Sequence, residues 1–458
     1  MTRSSDRSEH AEASILAAAD GLASGAISSQ QLIHCALARA RHPQGEGSRV
    51  YTQLFESRAP KEADAWDRLR AAGYVPTPLA GLPVSVKDLF DVAGEVTTAG
   101  SRVLADRSPA EADALVVARL RQAGAVIVGK TNMTEFAYSG LGLNPHYGTP
   151  ANPYDRSHGR IPGGSSSGAA ISISDGMALG AIGTDTGGSV RIPAALCGLV
   201  GFKPTAARIP LTGAVPLSRS LDSIGPIART VECCAILDAV MAGLPVTIPE
   251  PALMAGLRIG IAQALVWDDA DRHVVSSVQT ALARLSAAGA RLMDLPLSAL
   301  EEIPRINATG GLAAAEAYAW HAELLAQRSA GYDPRVAARI EQGRRISAAE
   351  YLSILDARRD VQQLVASEIA EVDVWVMPTV PLPAPLIGEL ATDDAYFAAN
   401  RLMLRNPSLV NFLDACAISI PCHGAGTAPA GLSLVGRRGE DRRLLAVART
   451  VSRVIAAA

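Results

Sequence analysis

The sequence lacks the patterns that mark metal-binding and nucleic-acid-binding proteins. Its six cysteines form no Cys-x-x-Cys pair, and its eight histidines form neither a His-x-His nor a His-x-x-x-His pair, so we expect no metal site. No long basic run occurs, and the formal net charge is −3. These features argue against direct nucleic-acid binding and against attachment to an anionic membrane.

Signals for membrane insertion and secretion are also missing. No uninterrupted apolar run reaches the roughly 20 residues that a membrane-spanning helix needs. Charged residues interrupt residues 1–18, which therefore contain no signal-peptide core. Cysteines without a metal-ligand spacing are usually buried free thiols in a reducing compartment. We therefore predict a cytoplasmic protein with no membrane partner.

The chain is rich in core-forming residues, with 48% hydrophobic and 19% charged side chains, enough for a large core. From about residue 81, short apolar runs alternate with helical patterns, which is typical of a sheet with parallel strands. We predict one large α/β domain over 1–458, with a central mixed β-sheet covered by helices on both faces. Within it we expect an N-terminal helical region (1–75), a core (76–235), a largely helical excursion over the site (243–370) and a return to the core (371–458).

Local signals place the individual elements. The predicted strands are 82–86, 125–128, 179–182, 199–202, 257–261, 374–377, 417–420 and 431–435. The predicted helices are two within 11–41, then 59–72, 230–242, 271–288, 311–328, 347–370 and 440–457. Ser28 or Ser29 is expected to cap the second of these helices. Ser108, Pro109 and Glu111 have the spacing of a helix start, so we also expect a helix from there to Gly124.

The first segment that can carry chemistry is the turn before Ser189. Thr186, Gly187 and Gly188 follow an apolar strand and precede that serine directly. Glycines let consecutive N–H groups turn toward one point, and such a concavity binds anions. Beside a serine hydroxyl it could stabilise a tetrahedral oxyanion. The plainer alternative is a tight strand-to-helix turn with no chemistry.

A second segment, Gly-Gly-Ser-Ser-Ser-Gly over 163–168, places three hydroxyls together. Such a composition is often a flexible linker. Here it precedes a largely apolar run, so a helix beginning near Ser167 and capped by these hydroxyls is the other structural reading. The segment also spells G-x-S-x-G, but the strand that a nucleophile elbow requires is poor here.

The third segment places Lys87 in an apolar strand. A strand lysine often simply reaches solvent. If Lys87 is buried, desolvation favours its neutral amine, which is a usable base. Pairing with Asp88 would instead keep the amine protonated, so basic character requires burial without a direct carboxylate contact.

Together these segments resemble the amidase signature family of serine hydrolases, which is related to the glutaminase component of glutamyl-tRNA amidotransferase. The matching strings are GLPVSVKD around Lys87, GGSSSG around Ser165 and GTDTGGSVRIPA around Ser189. The resemblance implies the amidase signature fold and a Ser–cis-Ser–Lys triad in which Ser189 is the nucleophile, Ser165 the bridging serine after a cis peptide, and Lys87 the base. It implies an oxyanion hole formed by the N–H groups of Thr186, Gly187, Gly188 and Ser189. Supporting residues would be Ser166, Ser167, Asp185 and Arg191.

The function implied is hydrolysis of a small-molecule carboxylic amide to acid plus ammonia or amine through a seryl acyl-enzyme, without a cofactor or metal. Candidate substrate-binding residues are Met133, Phe136 and Tyr138, with helix 311–328 and segment 378–412 completing the pocket. Only 4% of residues are aromatic, which disfavours an aromatic-lined acyl tunnel.

Two other functions stay open at this point. One is the glutaminase component of a tRNA-dependent amidotransferase, with partner subunits; Tyr351 and Arg359 loosely resemble its glutamine-binding side, although exposed helical arginines explain them as well. The other is a scaffold without catalysis, which the intact set of Lys87, Ser165 and Ser189 disfavours. A homodimer is a further possibility under the first reading.

Overall fold

The computed structural model describes residues 13–457; residues 1–12 and 458 of the predicted domain lie outside the described residues. The strands are β1 (Tyr51–Leu54), β2 (Pro83–Lys87), β3 (Val126–Thr131), β4 (Gly180–Asp185), β5 (Val200–Lys203), β6 (Ser223–Ala228), β7 (Arg258–Ala262), β8 (Arg291–Leu295), β9 (Val374–Pro378), β10 (Cys416–Pro421) and β11 (Gly431–Gly436). The α-helices are α1 (Ile15–Ala23), α2 (Ser29–Ala40), α3 (Gly47–Val50), α4 (Ala59–Ala71), α5 (Leu115–Gln122), α6 (Ser167–Ser174), α7 (Arg191–Leu196), α8 (Val231–Ala242), α9 (Arg272–Ala287), α10 (Glu302–Ile306), α11 (Gly311–Arg328), α12 (Pro334–Glu341), α13 (Ala348–Glu368), α14 (Asp393–Leu413) and α15 (Asp441–Ala456).

All the strands belong to one 11-stranded sheet in the order β1-β3-β2-β4-β6-β5-β10-β11-β9-β7-β8. The sheet is mixed, as predicted. Strands β3, β2 and β4 are mutually parallel, and so are β9, β7 and β8. The strands between these two groups pair antiparallel. The chain therefore forms a single α/β domain.

Alternation along the strands explains why helices cover both faces. Successive side chains of a strand point to opposite faces. In β9, Val374 and Val376 enter one hydrophobic cluster, whereas Trp375 and Met377 enter another. In β3, Ile127 enters the first of these clusters, whereas Val126 and Val128 enter a further one. Both faces therefore bury apolar side chains, and the nearly continuous apolar strands of the sequence follow from this.

Several helix boundaries arise from their caps. Ser28 caps α2 and forms a reciprocal capping box with Gln31, which confirms the predicted start of that helix. Ser347 and Glu350 form the same box at the start of α13. Helix α8 ends at Gly243, which adopts a left-handed conformation.

The expected helix start at Ser108 is wrong. Helix α5 begins only at Leu115, and Ala114 precedes it without a side-chain cap. Ala110 instead exchanges backbone hydrogen bonds with the turn at 94–95. That pairing satisfies backbone groups in an extended form, so the local capping signal is overridden.

Two of the predicted divisions of the domain contain strands as well as helices. The N-terminal region contains β1, which pairs with β3 at the edge of the sheet. The segment 243–370 contains β7 and β8, which form the opposite edge of the sheet. From residue 296 to the end of this segment, helices are the regular elements. None of the described helices is long and apolar enough to cross a membrane.

Candidate active site

Two adjacent parallel strands bring the first site residues together. Strand β2 pairs with β4 in parallel register, with Val86 opposite Ile182. Both strands therefore end at the same edge of the sheet, where parallel α/β sheets bind ligands. Lys87 is the last residue of β2, and Asp185 is the last of β4.

Lys87 is completely buried at this edge. Its Nζ donates hydrogen bonds to Ser165 Oγ at 2.8 Å and to Thr184 Oγ1 at 3.0 Å. Burial lowers the pKa of Lys87 to about 7, and the negative charges of Asp222 and Asp185 oppose this shift without cancelling it. The amine therefore has the neutral form available near neutral pH.

Asp88 does not contact Lys87. Its carboxylate pairs with the buried Lys130 at 2.8 Å and accepts a hydrogen bond from the Thr98 hydroxyl. The condition set by the sequence, a buried lysine without a direct carboxylate partner, is therefore met. Because Lys130 of β3 pairs with Asp88, this carboxylate is not available to pair with Lys87 and keep it protonated.

The segment before α6 lies between Lys87 and the turn at Ser189. The peptide bond between Gly164 and Ser165 is cis, and the N–H of Ser166 donates to the carbonyl of Ser189 at 3.3 Å. No side chain caps α6, so the expectation that these hydroxyls cap a helix is wrong. Ser166 and Ser167 instead donate 3.5 Å hydrogen bonds to the carbonyls of Thr184 and Asn132, respectively.

The turn after β4 presents several backbone N–H groups. Gly188 N–H donates to Asp185 Oδ1 at 2.9 Å, so it is already occupied and does not belong to a free anion hole. The N–H groups of Thr186, Gly187 and Ser189 have no acceptor among the residues that the structure describes. Three of the four predicted donors are therefore available to a ligand.

A buried ion pair fixes this turn. Arg191 bonds both carboxylate oxygens of Asp185, at 3.0 and 2.9 Å, and also bonds Pro407 O and Asn411 Oδ1. Both charged side chains are fully buried. Burial opposes ionisation of Asp185, but Arg191 outweighs it and holds the pKa of that carboxyl well below its usual range. The turn is therefore anchored to α14.

A cavity of about 220 Å³ opens in front of this turn. Arg339 is the charged residue of its lining, and Tyr138 is one of its two aromatic residues. The lining residues are Ala137, Tyr138, Ser139, Thr186, Gly187, Ser189, Leu217, Leu221, Ile303, Asn307, Gly310, Ala313, Arg339, Leu404, Ser408 and Phe412. The cavity therefore combines an apolar wall with a few polar groups, as small-molecule sites do.

The three substrate-binding candidates separate in the structure. Tyr138 lines the cavity, but Met133 and Phe136 do not. Met133 is fully buried in the main hydrophobic cluster. Phe136 packs edge-on against His321, with ring centroids 4.3 Å apart, and also contacts Tyr332. Their apolar side chains are thus part of the core rather than the pocket.

Comparisons with known proteins identify the family of the chain. A family model described as Amidase matches residues 38–445. The chain belongs to the amidase signature family. It is 40% identical over 415 residues to a 2-amino-5-chloromuconic acid deaminase of Comamonas testosteroni, which covers 89% of this chain and 88% of that protein. It is 34% identical to the A subunit of the glutamyl-tRNA(Gln) amidotransferase of Chromohalobacter salexigens, over 94% of each chain. A crystal structure of an amidase superposes with a TM-score of 0.88 at 32% identity, covering 96% of this chain and 99% of that one.

The chain is thus an amidase signature enzyme that acts on amides, but the sequence did not reveal all of its site. Thr184, the second partner of Lys87, lies next to Asp185 at the end of β4. It reaches Lys87 because β2 pairs with β4, and that pairing was not predicted from the sequence. The sequence around Asp222 by itself indicates no role for it. Arg339 had no signal, because many surface helices carry arginines.

The residues Tyr351 and Arg359 do not line the cavity of this amidase. Tyr351 donates to Glu316 at 2.7 Å, and Arg359 pairs with Asp356 on the exposed side of the same helix. The structure therefore places neither residue where it would contact a ligand in this cavity. The arginine that the structure brings to the cavity is Arg339.

Proposed function

We propose that this enzyme hydrolyses a small carboxylic amide through an acyl-enzyme on Ser189, with Ser165 as the proton relay and Lys87 as the base. One observation carries the proposal. A buried amine without a direct carboxylate partner lies 2.8 Å from the Ser165 hydroxyl, and the next residue, Ser166, donates its N–H to the carbonyl of Ser189, which lines the cavity. Serine needs such a base because its hydroxyl is a weak nucleophile at neutral pH.

The proposed reaction uses one proton path in both directions. Neutral Lys87 takes the Ser165 proton while Ser165 takes the Ser189 proton, and Ser189 Oγ bonds to the amide carbon. The path then returns the proton to the leaving nitrogen as the C–N bond breaks, which releases ammonia or an amine. Water next attacks the ester through the same relay, and the acid leaves.

The turn would supply the oxyanion hole. The unoccupied N–H groups of Thr186, Gly187 and Ser189 are the donors, and Gly188 shapes the turn instead of donating to the ligand. Fixed donors of this kind stabilise the charge that develops in the transition state. Asp185, paired with Arg191, would fix the turn by accepting the Gly188 N–H. The hydroxyls of Ser166 and Ser167 would fix the segment after Ser165 through their hydrogen bonds to Thr184 and Asn132.

The substrate class follows from Arg339. Its guanidinium lies 4.2 Å from the centre of the Tyr138 ring and donates one hydrogen bond to the Tyr138 carbonyl. The rest of the fork is available to a ligand, and arginine forks match carboxylates. The Comamonas relative is named for a substrate that is an amino-substituted carboxylic acid. We therefore propose that the amide substrate carries a carboxylate.

The second candidate function is the glutaminase component of a tRNA-dependent amidotransferase. The similarity to the Chromohalobacter relative over 94% of each chain favours it. Glutamine is itself an amide that carries a carboxylate, so it suits the same cavity. Co-purification of a tRNA-binding partner protein, together with glutamine hydrolysis, would support this function over the stand-alone amidase, which could form a homodimer.

We propose a cytoplasmic location for the enzyme. All six cysteines are free thiols in the described structure, and five of them are buried. A protein whose buried thiols form no disulfide suits a reducing compartment. Fractionation of the source cells would test this location.

The activity is tested with a panel of small aliphatic amides, aryl amides, urea-derived amides, acid-bearing amides and glutamine. Ser189→Ala should abolish turnover of the best substrate. Ser408→Ala is the matched control, because Ser408 lines the same cavity but donates its hydroxyl to the Arg405 carbonyl. Full activity of S189A would refute the mechanism.

The same panel tests the carboxylate. We expect Arg339→Met to raise KM for acid-bearing amides about 10- to 100-fold, the loss typical of a charged hydrogen bond, and to leave neutral amides nearly unchanged. Arg344→Met is the control, since Arg344 is exposed and outside the cavity. Equal losses on acidic and neutral amides would contradict the role of Arg339.

A further inference from the structure

Asp222 is a buried carboxylate next to the catalytic turn. Its Oδ1 accepts a 2.5 Å hydrogen bond from Thr186 Oγ1, and its Oδ2 accepts the N–H groups of Leu217 at 3.0 Å and Ser218 at 3.1 Å. Only 5% of the residue is exposed. The carboxylate therefore holds Thr186, the first residue of the turn that leads to Ser189.

The charges around Lys87 give Asp222 a second role. The negative groups that act on Lys87 are Asp222 and Asp185. Asp185 is already paired with Arg191 and is also close enough to the buried Lys203 to interact with it. No cation lies within ion-pair distance of Asp222 in the part of the chain that the structure describes. Its charge is therefore left to act on Lys87.

Helices α11 and α13 hold the segment that precedes Asp222. Glu316 of α11 accepts the Ser218 hydroxyl at 2.7 Å and the Ser220 N–H at 2.9 Å, and Tyr351 of α13 donates to the same carboxylate. Asp222 binds the start of the segment 217–222, at Leu217 and Ser218. Glu316 binds the middle of the same segment, at Ser218 and Ser220. A chain of hydrogen bonds thus runs from α13 to Thr186.

We propose that Asp222 is a positioning residue for the proposed amide hydrolysis, on which this inference rests: it orients Thr186 in the oxyanion turn and supplies the negative charge that stabilises the ammonium form of Lys87 during acyl transfer. When Lys87 takes the proton relayed from Ser189, a cation forms at a fully buried position. Asp222 holds Thr186, two residues beyond the Thr184 that Lys87 contacts, and no cation of the described residues pairs with it. Its charge therefore lowers the free energy of that step.

The protonation of Asp222 agrees with this role. Burial raises its pKa to about 6, and Glu316 adds to the shift, while the hydrogen bonds from Thr186, Ser218 and Leu217 oppose it. The carboxyl is therefore mostly ionised at the pH at which Lys87 becomes neutral. Both groups are then in the states that the reaction needs.

The test measures the rate at which a fluorophosphonate labels Ser189, from pH 5 to pH 9, in the full-length protein. In this reaction Ser189 Oγ bonds to phosphorus, the P–F bond breaks, fluoride leaves, and the serine proton moves to Lys87. Mass spectrometry identifies the labelled serine. The label reports the nucleophile and its base without requiring knowledge of the natural substrate.

The Thr186 variants test positioning. Thr186→Val keeps the shape of the side chain but loses its hydrogen bond to Asp222, and we expect it to slow labelling about tenfold. Thr186→Ser keeps the hydroxyl and should restore most of the loss. Labelling of T186V at the wild-type rate would overturn the positioning role, and this comparison stays decisive if a variant of the carboxylate itself does not fold.

Asp222→Asn tests the charge. Removing the anion should lower the pKa of Lys87, so the midpoint of the labelling profile should move to lower pH by about one unit, more than in T186V, and the plateau rate should fall. A folded D222N protein with an unchanged or raised midpoint would overturn the charge role. A wild-type protein that neither labels at Ser189 nor hydrolyses any amide would refute the proposed function itself, so the two failures are distinguishable.

Discussion

At the scale of the residue, the proposed chemistry depends on the surroundings of a single amine. An exposed lysine stays protonated far above neutral pH and cannot accept a proton. Lys87 differs because it is buried between hydroxyls, whereas the nearest acid along the chain, Asp88, is used by Lys130. The sequence predicted Lys87 and the two serines because their motifs are local strings. It could not predict Arg339, whose proposed role depends on the packing of α12 against Tyr138.

The pKa of about 7 predicts the pH dependence of the reaction. Below that pH Lys87 is protonated, so kcat/KM should fall about tenfold per pH unit on the acid side, with a midpoint near pH 7. Lys87→Met should lower kcat roughly 100- to 10,000-fold, the usual worth of a general base. Rates from pH 5 to pH 9 measure both effects, and an acid limb that persists in K87M would contradict this assignment.

The same shift makes a prediction for stability. Between about pH 7 and the ordinary lysine pKa of 10.5, the unfolded chain holds a proton at Lys87 that the folded chain does not. The free energy of unfolding should therefore rise with pH across this window. K87M lacks this contribution, so its stability relative to the wild type should fall between pH 7 and pH 9.5 in urea titrations. A constant difference would show that burial does not shift the pKa of Lys87.

At the scale of the element, the sequence predicts strands and helices that have a local pattern. It misses those that form only through contacts with distant parts of the chain. The apolar runs that became β2, β4, β9 and β11 were evident. Strand β6 was missed because it contains Gly225 and Pro226, residues that usually argue against a central strand. Gly225 is required there, since an added Cβ would lie 2.1 Å from the Phe202 carbonyl oxygen.

Helix α14 was missed for a similar reason. Pro407 lies inside it, and proline normally ends or kinks a helix. Here the carbonyl of Pro407 accepts a hydrogen bond from Arg191, and its ring packs close to Gly188. The proline is thus part of the contact between α14 and the catalytic turn, a relation that only the folded chain reveals.

That contact gives a prediction about the turn. Gly188 has a φ of 120°, and an added Cβ would lie 2.6 Å from Pro407 Cγ. Gly188→Ala should therefore destabilise the protein by about 3 kcal/mol through strain and overpacking. Gly187→Ala is the control, since the nearest atom to its added Cβ is 3.6 Å away. Chemical unfolding measures both variants, and equal stabilities would contradict the contact.

At the scale of the whole molecule, the thiols report how well the structure excludes solvent. Cys35 is partly exposed, and the other five cysteines are buried. Burial raises the pKa of Cys422 to about 12 and that of Cys197 further, so these thiols are protonated as well as inaccessible. Iodoacetamide should therefore modify one cysteine of the native protein and all six after unfolding, as counted by mass spectrometry. Rapid modification of several cysteines would show that the core opens readily.

The cavity joins two parts of the chain with different tasks. Lys87 ends strand β2, and Ser165 and Ser189 lie in turns next to helices α6 and α7, whereas Ile303, Asn307 and Arg339 lie in or directly after helices α10 and α12, far along the sequence. Selection for a new substrate can act on the inserted helices while the hydrolytic groups stay unchanged. Residues 303–341 are accordingly the stretch to randomise when this enzyme is evolved toward a different amide.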